Sequence, residues 1–160
     1  MSQFKETKVK VLNRGVPPDE FLHELVDWAN SAPDDIFAVN DRTDIYSAVR
    51  GNLGPYEGIR HRKAVMLEVL RVLGGFESSW SWSEGHDIKN PTENRDLTKS
   101  AGVFQVSANS LNFDQSLKDL TMRRVGTLDP AAFRKAMMSD RIFAIEYTAR
   151  LLRFTTRHHG

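Results

Sequence analysis

No cysteine occurs in the chain, so a disulfide framework, thiolate chemistry and a cysteine-ligated zinc are all closed to it. Neither sign of charge dominates. The 22 Lys and Arg face 21 Asp and Glu, and a formal charge of +1 spread along the chain gives no support to a nucleic-acid partner. The first residues, from Met1 to Lys8, lack the roughly seven consecutive apolar residues of a secretory core segment. No run approaches the ~18 apolar residues of a membrane span. Internal repeats and low-complexity stretches are also missing. What remains, 160 residues at 40% hydrophobic, reads as one domain able to bury a core without staples.

The longest apolar stretch runs from Ala64 to Phe76, broken only by Glu68, Arg71 and the pair Gly74-Gly75. It forms the second half of a helix expected from about Tyr56 to Ser78. The first half, with Glu57, Arg60, His61, Arg62 and Lys63, is polar. The apolar half is expected to be the most buried helix of the domain, covered on several sides.

Helical spacing recurs on both sides of it. Pro17-Pro18-Asp19-Glu20 opens a helix whose inward residues are Phe21, Leu22, Leu25, Val26, Trp28 and Ala29, and which stops at Asn30-Ser31-Ala32-Pro33. A short helical piece through Phe37 follows, and then a helix from Arg42 to Arg50, capped by Asp41 and stopped by Gly51. Toward the C-terminus three more helices are expected. The first starts at Leu111 or Phe113 and ends at Val125, with Leu117, Leu120 and Met122 inward. The next runs from Pro130 to Met138, capped by Asp129. The last runs from Ser139 to about Phe154, with Ile142, Phe143, Ile145, Ala149 and Leu152 inward. Lys8 to Leu12 reads as an arm or a short strand, and Ser100 to Ser107 as a strand or a tight helix. The fold class is mainly α, with at most a small β element.

Glu77 stands where the apolar helix turns polar and aromatic. A partly desolvated carboxylate costs free energy unless it is paired or protonated. Burial against Phe76 and Trp80 raises a glutamate pKa in the direction that a general acid needs. The alternative is a helix-end glutamate bonded to amides of the following loop. That loop, from Ser81 to Lys99, is punctuated by Ser81, Ser83, Gly85, Asn90-Pro91 and Asn94, and carries Glu84, Asp87, Glu93 and Asp96. Irregular stretches of this length are more often functional than not. Of the aromatic residues here, Trp80, Trp82 and Phe104, one tryptophan is expected to face a groove and the other to be buried.

A helix running into Glu77-Ser78, a polar loop, and then Ala101-Gly102-Val103-Phe104-Gln105-Val106-Ser107 resembles the soluble lytic transglycosylase and goose-type lysozyme superfamily. The resemblance covers residues 56 to 155; residues 1 to 50 form an N-terminal helical extension outside it. It implies a lysozyme-like domain that cuts the peptidoglycan sugar backbone, with Glu77 as catalytic acid. It also implies that Gly102 and Gln105 shape the floor of the glycan groove, flanked by Ser78, Trp80 and Trp82, and that Tyr147 approaches from the C-terminal helix. Asp87 and Asp96 fall where goose-type lysozymes carry aspartates, although Glu84 or Glu93 can replace either in so variable a loop. Hydrolysis needs such a second carboxylate, whereas a lytic transglycosylase works with the glutamate alone and closes its product into an anhydro sugar.

The partners implied are peptidoglycan glycan strands and, for an injected antibacterial toxin, a small immunity protein. A non-cutting peptidoglycan-binding module and an enzyme acting on chitin or chitosan remain as other readings. With a substrate outside the cytoplasm and no signal segment, delivery is expected as an effector, as a phage protein or as part of a larger exported chain. His61, His86, His158 and His159 have no metal-site spacing, and no cofactor or metal is expected.

Overall fold

Helix α6 (Arg141–Leu151) is apolar on nearly every side, and the rest of the chain is wrapped round it. Phe143, Ala144, Ile145, Tyr147, Thr148, Ala149 and Leu151 are all buried, and α6 touches four other helices. The computed structural model describes residues 7–86, 88–89 and 95–156. Within them the order is α1 (Asp19–Ser31), a 3-10 turn (Asp34–Ile36), α2 (Ile45–Leu53), α3 (Ile59–Ser78), a second 3-10 segment (Ala108–Phe113), α4 (Gln115–Val125), α5 (Pro130–Ser139) and α6. The only β element among the described residues is an isolated antiparallel bridge between Ala101 and Val106. The protein is therefore mainly α, built as one body around α6.

That places the centre of the core elsewhere than in α3. Val65, Met66, Leu70, Gly74 and Gly75 of α3 are buried, but Val69, Val72 and Leu73 are only partly covered. Together with Val49 and Leu53 of α2 and the exposed Phe76, they line an open apolar groove of about 380 Å3. An apolar helix in sequence does not have to be enclosed; here one side of it is left to this groove.

Several boundaries also move, each for a local reason. Helix α2 is capped by Asp44, not Asp41, and runs through Gly51 to a stop at Gly54. Asp44 Oδ1 accepts the amides of Tyr46 (2.9 Å) and Ser47 (3.3 Å), and Ser47 Oγ accepts the Asp44 amide in return. The same aspartate is buried and paired with Arg153 at 2.7 Å, so a tertiary ion pair selects the cap. Helix α3 begins at Ile59, after Gly58 with φ of 122°. Before it, Tyr56 folds onto Tyr46, its hydroxyl donating to the Tyr46 carbonyl at 2.5 Å.

The expected helix from 111 to 125 splits at Asp114. Its carboxylate caps α4 by accepting the Ser116 amide at 2.9 Å. Met122 is exposed, and Thr121 takes its place in the core with Leu117 and Leu120, its hydroxyl donating to the Leu117 carbonyl. Helix α5 keeps its Asp129 cap and continues to Ser139. Asp140 then caps α6, which leaves Ile142 exposed on the first turn. Residues 8–12 form an arm, not a strand.

Two arginines join the segment after α1 to the rest. Arg153 donates to Asp44 and to the carbonyls of Ile36 and Ala38, and Arg62 of α3 donates to the carbonyls of Phe37 and Ala38. Three successive carbonyls with no helical partner are satisfied in this way. The Arg62 guanidinium carbon sits over the Tyr46 ring, 3.7 Å from its centroid.

Candidate active site

The chain reverses sharply at the end of α3. Ser79 (φ 52°) and Trp80 (φ 64°) are both left-handed, and their amides return to the carbonyls of Gly75 and Gly74, each at 3.0 Å. Trp80 is thereby laid back along the last turns of the helix, where its indole N–H donates to the Arg71 carbonyl at 2.9 Å. The glycine pair makes room for it. A Cβ on Gly75 would stand 2.7 Å from the Trp80 ring, and one on Gly74 would stand 3.1 Å from Phe21 and 3.3 Å from Trp80.

Of the two tryptophans that the resemblance placed by the groove, with one expected to be buried, Trp80 is the buried one, a plug beneath the helix end. Trp82 is the tryptophan that keeps exposed surface. Its ring packs 5.4 Å from Phe21, with the Arg141 guanidinium 5.1 Å from its centroid.

Glu77, one turn before the reversal, is half-buried. Burial pushes its carboxyl above the ordinary value of 4.5, and the positive field of Arg14 opposes that rise. Ser78 ties this helix end to the second motif. Its hydroxyl lies 2.8 Å from the Val103 carbonyl, to which it donates, and accepts the Ser81 amide at 3.1 Å.

The second motif is a tight hairpin. Ala101 and Val106 exchange two backbone hydrogen bonds of 3.1 Å, and the turn between them places Gly102 at φ 76° and Gln105 at φ 49°. Gly102 faces α5. A Cβ there would meet the Met137 carbonyl oxygen at 2.4 Å, closer than any side chain tolerates. Gln105 is nearly buried, and its amide braces the turn: Nε2 donates to the Gly102 carbonyl at 3.0 Å and Oε1 accepts from Ser100 Oγ at 2.9 Å. It shapes the hairpin from within.

Glu84 is fastened to the same hairpin through its backbone. Its carbonyl accepts the Gly102 amide at 2.8 Å while its side chain is exposed. Asp96 is committed differently, to Arg134 at 3.3 Å and Lys99 at 3.7 Å. Arg134 also approaches His86 Nδ1 at 3.5 Å, so both described ends of the loop meet on α5. Asp87 and Glu93 lie outside the described residues.

Tyr147, expected to approach the substrate, is completely buried. Its hydroxyl pairs with Ser110 Oγ at 2.8 Å and its ring packs on Phe133 and Phe143. Burial raises the pKa of this phenol, and so inaccessible a hydroxyl supports the core, not a ligand.

The structure thus links Ser78, Gly102, Gln105 and the backbone of Glu84 through hydrogen bonds, with Glu77 next to Ser78 in the last turn of α3. Sequence reasoning missed the backbone role of Glu84 and the influence of the Arg14 charge on Glu77. No group of three or more potential metal-ligating side chains occurs among the described residues. None of their helices is long and apolar enough to cross a membrane. Compared with family models, with curated proteins and with solved structures, the chain finds no match in any of the three.

Proposed function

We propose that this protein is a muramidase: it cuts the β-1,4 bond between N-acetylmuramic acid and N-acetylglucosamine in peptidoglycan, with Glu77 as the general acid. The observation that carries this reading is the placement of Glu77, half-buried at the end of a helix that Ser78 binds to the Gly102–Gln105 hairpin; burial acts to raise its pKa. A carboxyl whose protonated form is favoured by burial donates its proton to the leaving glycosidic oxygen as the bond breaks. Such a donor contributes roughly 100- to 10,000-fold to the rate. The resemblance of the two motifs to lytic transglycosylases and goose-type lysozymes supplies the substrate class.

Hydrolysis is the favoured outcome, with a loop carboxylate directing water at the sugar from the face opposite Glu77. Inverting enzymes hold the two carboxyl groups roughly 6.5–9.5 Å apart for this purpose. Of the loop acids described, Glu84 suits the role better than Asp96. Its backbone is pinned to the hairpin and its carboxylate is exposed, whereas Asp96 is engaged by two cations of its own. The second reading is a lytic transglycosylase, in which Glu77 acts alone, first as acid and then as base.

Mass spectrometry of digested peptidoglycan separates the two. Reducing N-acetylmuramic acid ends, with turnover falling at least ~10-fold in Glu84→Gln, are the expected result for a water-directing group. Anhydro ends, with Glu84→Gln unimpaired, assign the protein to the transglycosylases. Absence of cleaved glycan from the folded wild-type protein rejects both.

A further inference from the structure

Arg134 of α5 reaches both described ends of the loop that follows α3. Its Nη1 donates to Asp96 Oδ1 at 3.3 Å, and its Nη2 lies 3.5 Å from His86 Nδ1. Elsewhere the two ends are held by different neighbours. Glu84, two residues before His86, is bonded through its carbonyl to the Gly102 amide, whereas the carbonyl of Leu97, next to Asp96, accepts the Asn109 amide at 2.9 Å. The Arg134 side chain is only 17% exposed, and its Nε is buried with no partner among the described residues. A buried donor left unmet costs free energy. One turn further along α5, the Met137 carbonyl stands directly behind Gly102. The same stretch of helix therefore backs the hairpin and grips the loop.

We propose that Arg134 is a positioning residue: by spanning His86 and Asp96 it fixes the segment that carries Glu84, and so holds the Glu84 carboxylate where it directs water. The proposal rests on the hydrolytic reading, with Glu84 as the water-directing group. The Glu84 carbonyl anchors one side of that residue, and Gly85, which restrains a backbone least, separates it from His86. A second anchor at His86 sets the direction in which the side chain leaves. A guanidinium suits the task, since its planar fork holds two partners in fixed directions. An apolar residue would fill the same space without the unmet Nε. What the fork adds is direction.

The products record that geometry. In hydrolysis the water oxygen bonds to C1 of N-acetylmuramic acid as the glycosidic C1–O bond breaks; Glu77 gives its proton to the leaving oxygen and Glu84 takes one from the water. Where water is not held, the sugar's own 6-hydroxyl attacks C1, returns its proton to the Glu77 carboxylate and leaves an anhydro end. Misplacing Glu84 therefore moves turnover from the first path to the second. The ratio of the two ends is a property of each cleavage and does not change with the amount of folded protein.

Mass spectrometry of the ends that the full chain releases from purified peptidoglycan tests this. Arg134→Met keeps the aliphatic stem and removes the fork, and should raise the ratio of anhydro to reducing ends about 10-fold, less than a misplacement of about 1 Å can cost. Glu84→Gln should raise it at least as far. In the Glu84→Gln background Arg134→Met should add nothing, because both changes remove the same function. Arg134→Lys and His86→Ala, which each keep one contact, should give smaller rises of the same kind. An unchanged ratio in Arg134→Met beside a raised one in Glu84→Gln overturns the role of Arg134 and leaves Glu84 in place, as does a further rise in the double variant. Should Arg134→Met not fold, the absence of a rise in both milder variants overturns it equally. Only anhydro ends from wild type, no cleavage at all, or a ratio that Glu84→Gln does not move rejects the water-directing reading and this proposal with it.

Discussion

Around residues 36–46 the chain is held by buried charge. Arg62 and Arg153 donate to the carbonyls of Ile36, Phe37 and Ala38, and Asp44 offsets one guanidinium at 2.7 Å. Around residues 74–106 it is held by small residues and turn geometry instead. Gly74 and Gly75 admit the Trp80 ring, Gly102 admits the α5 backbone, and Ser78 and Gln105 complete the hydrogen bonds. The contrast lies in what happens to the carboxylates. Asp44 is matched by a guanidinium within hydrogen-bonding distance, so it serves the fold. Glu77 is set by burial, with the largest influence on it pushing its pKa upward. That difference in environment is what the proposed role of Glu77 draws on.

The largest effect expected from disturbing this contrast is at Asp44. Asp44→Ala leaves Arg153 buried without its counter-charge and removes the α2 cap, and should cost about 3–5 kcal/mol of stability in denaturant unfolding. Asp44→Asn keeps most of the cap and lies between the two. A loss below ~1 kcal/mol in Asp44→Ala would mean that the cluster is not what holds this region.

At the other region, Gly102→Val forces a side chain into a left-handed position against the Met137 carbonyl. It should lower stability by about 1–3 kcal/mol or more, with activity falling as the hairpin is displaced. Lys99→Ala, on the nearby loop, should stay within about 0.5 kcal/mol of wild type. Equal effects from the two changes would remove the hairpin from the account.

The smallest effect is a pH dependence. Because burial raises the folded-state pKa of Glu77, the folded protein keeps a proton that the unfolded chain has already released. The stability contribution is therefore fully present below the ordinary value of 4.5 and is lost as pH rises through the raised folded value. Glu77→Gln lacks this dependence. Measured by unfolding across that window, wild type should lose ground to the variant as pH rises, and a difference that is flat with pH would contradict the assigned environment.

The helical class, the Asp129 cap and the position of the helix that ends in Glu77-Ser78 are legible in the sequence because they rest on local periodicity and capping. The α2 cap is not, since the choice of Asp44 over Asp41 depends on Arg153, more than a hundred residues away in the chain. Which tryptophan is buried, Trp80 and not Trp82, is also hidden. It follows from two consecutive left-handed residues and from the glycine pair beneath the ring, and Gly74-Gly75 reads in sequence only as an interruption of an apolar run. Met122 shows the same limit: periodicity places residues on a face, but tertiary packing decides which face is enclosed. Tyr147, placed near the substrate by the resemblance alone, is taken up by the core. In the candidate site, Glu77 is visible as a lone carboxylate at the end of an apolar helix. The fastening of Glu84 through its carbonyl has no side-chain signature at all.

The central claim is that Glu77 supplies the proton for glycan cleavage. Turnover of purified peptidoglycan by wild type and by Glu77→Gln, with matched folding by circular dichroism, tests it most directly. The account predicts a loss of at least ~100-fold in the variant. Undiminished turnover by Glu77→Gln would contradict it.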